Sequence, residues 1–72
     1  LSCTGCSLVR RGIKASEDSY VVSCMKEAGA IPLCVTNTPE VCSGFESTNL
    51  LYGTTVNPYD TRHSAGGSSG GE

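Results

Sequence analysis

Two adjacent hydroxyls, Ser68 and Ser69, sit between paired glycines in the run Gly66-Gly67-Ser68-Ser69-Gly70-Gly71. A serine hydroxyl both donates and accepts a hydrogen bond, so a serine held in one place can relay a proton or attack a carbonyl. Glycine admits backbone paths and close approaches that other residues refuse, at an entropic cost. Four glycines around one serine pair therefore point to a constrained loop that presents a hydroxyl. Two other readings fit the same letters. One is a flexible Gly/Ser linker. The other is an anion-binding loop, in which N–H groups converge at a helix N-terminus and a lysine assists, as in G-x-x-x-x-G-K-[ST]. No lysine follows Lys26, which counts against an anion loop.

Cysteine is the second chemistry-bearing residue type. Cys3, Cys6, Cys24, Cys34 and Cys42 make an odd count, which argues against a closed disulfide framework. Cys3-Thr4-Gly5-Cys6 has the spacing of a zinc or redox pair. A structural zinc site needs four ligands, and His63 stands alone with no second C-x-x-C. A redox pair sits between a strand and a helix, and Arg10-Arg11-Gly12 interrupts that pattern. The expectation is reduced thiols in an intracellular protein, with no metal and no cofactor.

Size and charge narrow the classes further. At 72 residues the chain has room for one small domain at most, and domains this short bury too little surface to be robust without staples. A net charge of −2 gives no electrostatic case for nucleic acid or for an anionic membrane surface. No apolar run approaches the ~18 residues of a membrane span.

The elements that must position the serines can be read in order. Ser16 offers an N-cap, Glu17 and Asp18 complement the first turn, and Val21, Val22, Met25 and Ala28 fall at helical spacing. With Gly29 suited to a left-handed end, the pattern predicts a helix over Glu17 to Ala28. Ile31 to Thr36 is short, apolar and β-branched, which predicts a strand buried on both faces, with Pro32 at its start or at a sheet edge. Asn37-Thr38-Pro39-Glu40 opens a second, shorter helix carrying Val41 and Cys42. After Glu46 the apolar cluster Leu50-Leu51-Tyr52 and the turn Asn57-Pro58-Tyr59-Asp60 lead into the glycine-rich end. The apolar side chains of this tail are too few to offset the entropy of ordering it, so it must lean on further protein. The fold class expected is α/β, in the order helix, strand, short helix, Gly/Ser-rich loop.

This succession resembles the amidase signature family of serine hydrolases. The residues that carry the resemblance are Asp18-Ser19-Tyr20-Val21-Val22, Ala28-Gly29-Ala30-Ile31, Thr36-Asn37, Ser47-Thr48-Asn49, Tyr52-Gly53, Asn57-Pro58-Tyr59-Asp60 and the run from Gly66 to Glu72. The likeness extends from the Ser2–Ser7 segment to Glu72 and is greatest to the fatty-acid amide hydrolase branch of type 2. It implies an α/β/α fold and a Ser-Ser-Lys relay. Ser68 matches the middle serine, preceded by a cis peptide bond from Gly67, and Ser69 matches the neighbour that supports it by hydrogen bonding. Cys42 and Gly44 match a segment bordering the substrate channel, although Phe45 beside them reads equally as packing. By the same resemblance the lysine lies before Leu1 and the nucleophilic serine beyond Glu72. Residues 1–72 are then expected to be a fragment of a single amidase domain, inactive alone. The implied partner is a small-molecule amide, a lipid amide in this branch, with membrane attachment through a segment outside these residues. The readings left open are another amidase, such as a glutaminyl-tRNA amidotransferase subunit, and a non-catalytic truncated product. Glu72 after the glycines leans toward the lipid-amide branch.

Overall fold

Hydrogen bonding, rather than an apolar core, shapes the chain. The computed structural model describes every residue from Leu1 to Glu72. Of its 24 backbone–backbone hydrogen bonds only 6 lie within helices or strands, so turns and loop crossings hold most of it. The fully or nearly buried positions are the polar residues Thr4, Ser7 and Ser47 together with Pro39, and no large hydrophobic side chain joins them. The radius of gyration, 13.5 Å, exceeds the ~11 Å of a compact chain of this length, and the molecule is a slab of 39 × 29 × 17 Å.

Helix α1 spans Tyr20–Glu27. Its N-cap is Ser19, whose backbone is extended and whose Oγ accepts from the Val22 N–H, so the helix starts three residues later than Ser16 would set it. Asp18 lies just outside the helix and pairs with Lys26 Nζ at 2.7 Å, an exposed contact. The C-terminal end follows the expectation. Ala30 N–H donates to Met25 O, Gly29 N–H donates to Lys26 O, and Gly29 takes φ +96°, the geometry of a Schellman stop.

The buried strand expected over Ile31 to Thr36 does not form. A ladder needs a partner strand, and none of the 72 residues pairs with this run, so Ile31, Leu33 and Val35 stay exposed. The second helix shrinks to one irregular 3-10 turn, Glu40–Cys42. Pro39 caps it rather than opening it, and Val41 and Cys42 adopt φ of +55° and +58°, which ends any regular helix there. A further 3-10 turn covers Leu8–Arg10.

The only sheet is a hairpin that no periodicity announced. Strands β1 (Thr48–Asn49) and β2 (Gly53–Thr54) pair antiparallel, with Thr48 opposite Thr54 and Asn49 opposite Gly53. Asn49 Oδ1 accepts from the Leu51 and Tyr52 N–H groups and so folds the Leu50-Leu51-Tyr52 loop back on itself. Thr48 and Thr54 hydroxyls close the pair at 2.7 Å. An isolated bridge, Val56 to Ser64, then brings the chain back toward β1 and delivers the glycine-rich run beside Ser47.

Candidate active site

The Gly/Ser run is held through its backbone, and Ser47 is the principal holder. Ser47 is fully buried. Its N–H donates to Gly66 O at 2.8 Å, and its hydroxyl donates to the same carbonyl at 2.6 Å while lying 3.2 Å from Ser68 O. On the far side of the serine pair, Gly70 N–H donates to Asn37 O at 2.8 Å. Ser68 is thus bracketed by a contact at 66, one on its own carbonyl and one at 70. The Gly67–Ser68 peptide bond is cis, as the family resemblance implies. Ser68 is half-buried and Ser69 is exposed.

Close approach explains the glycines. A Cβ on Gly67 would fall 2.9 Å from backbone atoms of Phe45 and Glu46, and one on Gly70 would fall 2.8 Å from Asn37 O and from the Ser47 side chain. Backbone cannot yield as a flexible side chain can, so this path belongs to glycine. The constrained-loop reading of the run therefore holds against the flexible-linker one.

Asn37 ties the site to the rest of the chain. Its Nδ2 donates to Ser47 O and Gly53 O, each at 3.2 Å, and to Thr55 Oγ1 at 3.0 Å. Its Oδ1 accepts from Asn49 Nδ2 at 2.7 Å and from Cys6 Sγ at 3.4 Å. Asn37 lies outside the short 3-10 turn, which is entered through Pro39. The side-chain amide thereby joins the N-terminal loop to both strands, and the Asn37 backbone carbonyl holds the segment bearing Ser68 through Gly70. The expectation that singled out the serines missed Asn37, Ser47 and Asn49 as the residues that position them. A signal was present in Asn49 and Gly53 bounding a three-residue loop, a hairpin spacing.

Charged groups lie at the edge of this arrangement. Ser64 Oγ donates to the Glu46 carboxylate and accepts from Gly66 N–H at 3.2 Å, bracing the entry to the run. Asp60 accepts from Arg62 Nε at 2.9 Å and from Nη2 at 2.8 Å, with His63 Nδ1 at 3.3 Å. The Arg62 side chain and then its backbone N–H hold the Asp60 carboxyl below its ordinary value, and Asp60 in turn raises Arg62. Lys26 directs its ammonium to Asp18 on the exposed side of α1.

The two expected substrate contacts fall on different surfaces. Cys42 borders a hollow of about 270 Å³ shared with Cys3, Cys6 and Tyr52, whereas Gly44 borders a separate depression with Phe45 and Leu50. Neither hollow is lined by Ser68 or Ser69. All five cysteines are free, and no three His, Cys, Asp or Glu side chains converge as a metal site would require.

The amidase family model matches residues 1–72, the whole chain. The chain belongs to the amidase family. Among curated proteins this amidase chain is 54% identical over 63 residues to "Fatty-acid amide hydrolase 2" of Homo sapiens, an alignment covering 88% of the chain and 12% of that protein. It is 56% identical over 63 residues to "Fatty-acid amide hydrolase 2-B" of Danio rerio, again 88% of the chain and 12% of the relative. "Amidase FG08078" of Gibberella zeae is 43% identical over 63 residues, with the same coverages of 88% and 12%. The amidase chain thus spans about 12% of the length of the curated relatives it matches. No solved structure matches it.

Proposed function

We propose that this chain carries the middle serine of a Ser-Ser-Lys relay in an amidase that hydrolyses apolar, fatty-acid-type amides. The observation that carries the reading is the bracketed Ser68, with its carbonyl beside the buried Ser47 hydroxyl and its flanks tied at Gly66 and Gly70. Identity of 54% and 56% to proteins named fatty-acid amide hydrolase 2 supports the lipid-amide branch. The complete domain is of the α/β/α kind, and residues 1–72 are one piece of it. The lysine and the nucleophilic serine come from outside these residues. No helix here is long and apolar enough to cross a membrane.

In this relay the nucleophilic serine gives its proton to Ser68 Oγ while Ser68 passes its own proton to the neutral lysine. The new acyl–oxygen bond forms, and the same path returns a proton to the amide nitrogen as the carbon–nitrogen bond breaks. Water, deprotonated through the relay, then releases the carboxylic acid. Ser69 supports Ser68 by hydrogen bonding, and the Cys42–Gly44 segment borders the acyl chain. In the full-length protein, Ser68→Ala lowers kcat for a long-chain primary amide by roughly 10²–10⁴-fold, the range of a lost proton-transfer group, with KM little changed. Release of free fatty acid is the measurement. Undiminished release by Ser68→Ala would overturn the relay, and faster turnover of acetamide than of the long-chain amide would overturn the substrate class.

A further inference from the structure

We infer that Ser47 is a positioning residue for the reaction, setting the orientation of Ser68 through the carbonyls of Gly66 and Ser68; this rests on the relay reading above. Ser47 stands 21 residues from Ser68 and touches no reacting atom in that relay, yet it is the most enclosed residue of the chain. All of its polar groups are engaged. Its carbonyl accepts from Thr55 N–H at 2.9 Å and from Asn37 Nδ2 at 3.2 Å, its N–H goes to Gly66 O, and its hydroxyl faces the carbonyls of Gly66 and Ser68.

The hydroxyl has one hydrogen for two carbonyls. Gly66 O, at 2.6 Å, takes the stronger share and also receives the Ser47 N–H, whereas Ser68 O, at 3.2 Å, has the hydroxyl as its partner. Removing the hydroxyl therefore leaves Gly66 O bonded to a backbone N–H and the local fold retained. Ser68 O loses its restraint, and the peptide plane that aims the Ser68 side chain is freed to tilt. The contact is also bounded from the loop side. The Ser47 Cβ and Oγ both lie 2.8 Å from where a Cβ on Gly70 would stand, so the close approach of Ser47 to the loop depends on glycine at 70. A side chain carrying a donor is what the two carbonyls require of the position.

The test uses the full-length protein and long-chain amide turnover, with thermal unfolding recorded for each variant. Ser47→Ala is expected to fold with a near-native midpoint and to lower kcat by roughly 10²-fold, the loss that misplacement of a reacting group brings, with KM nearly unchanged. Ser47→Cys, somewhat larger and with a weaker donor, recovers part of that kcat. Adding Ser47→Ala to Ser68→Ala lowers kcat no further, because Ser47 acts only through Ser68. The inference is overturned if folded Ser47→Ala keeps native kcat, if the two substitutions multiply, or if Ser47→Cys and Ser47→Ala lose activity only in proportion to lost folded protein. Should Ser68→Ala itself leave turnover unchanged, the relay reading fails instead, and the two failures are told apart.

Discussion

Single residues do the positioning here, and their partners are far away in the sequence. Asn37 bonds to Cys6, 31 residues before it, and to Thr55, 18 residues after it. No local pattern exposes such a role. Beside Thr38-Pro39-Glu40, Asn37 reads only as part of a helix opening, a local role. The Ser68-Ser69 pair stands out in the sequence because glycines flank it on both sides, whereas Ser47 has no such flags. Asp60 offers a prediction at this scale. Its pKa is lowered by Arg62, so the order it contributes is complete above the ordinary carboxyl value and is lost as pH falls through the lowered one. Because the pair is exposed, the consequence is confined to the Asn57–Ser64 loop. In an NMR titration below about pH 4, the Arg62 Nε and amide resonances are expected to shift together with the Asp60 carboxyl. The Asp60→Asn protein should lack that transition, and an unaltered acid transition in it would refute the assignment.

Elements were legible in proportion to how much of their bonding is internal. Helix α1 makes its own hydrogen bonds and carries its own caps, so its existence and its Gly29 stop could be read directly, while a second serine nearby displaced its start from Ser16 to Ser19. Ile31 to Thr36 has the residues of a strand and none of the pairing, because pairing is supplied by another segment. The β1–β2 hairpin is two residues per strand, too short for alternation to register, and its Asn49 and Gly53 ends were its only sign. The Gly/Ser loop is the element whose sterics can be tested most sharply. Gly67→Ala puts a Cβ 2.9 Å from the backbone of Phe45 and Glu46, at a position whose strain is contact alone. The expected cost is about 1–3 kcal/mol, as for other overpacked sites. A shift in the denaturant midpoint of the full-length protein, with unchanged slope, measures it. A midpoint equal to that of the unsubstituted protein would mean that the approach of the loop to residues 45–46 is looser than 2.9 Å implies.

At the scale of the whole chain, polar bonding is dense around Asn37 and Ser47 while apolar surface is left uncovered. Val9, Ile31, Leu33, Phe45, Leu50 and Tyr59 are each more than three-quarters exposed, and no large hydrophobic residue is buried. Hydrogen bonds exchanged with water yield only ~0.5–1.5 kcal/mol each, whereas ordering backbone opposes folding by ~1–2 kcal/mol per residue. A chain with many of the former and little apolar burial has no term large enough to make unfolding cooperative. Residues 1–72 expressed alone are therefore expected to show a shallow, featureless thermal profile, dye binding to exposed apolar surface, and no amide turnover. The same segment within the full-length protein should show slowed amide exchange at Ser47 and Gly70, whose N–H groups hold the serine loop. A sharp calorimetric transition from the isolated 72 residues would show that the polar network alone suffices. It would also mean that the serine loop is organised before the apolar faces of Ile31, Leu33 and Leu50 are covered. The opposite result places the organisation of Ser68 after that covering, so that the geometry of the proposed relay would depend on protein packed against this slab.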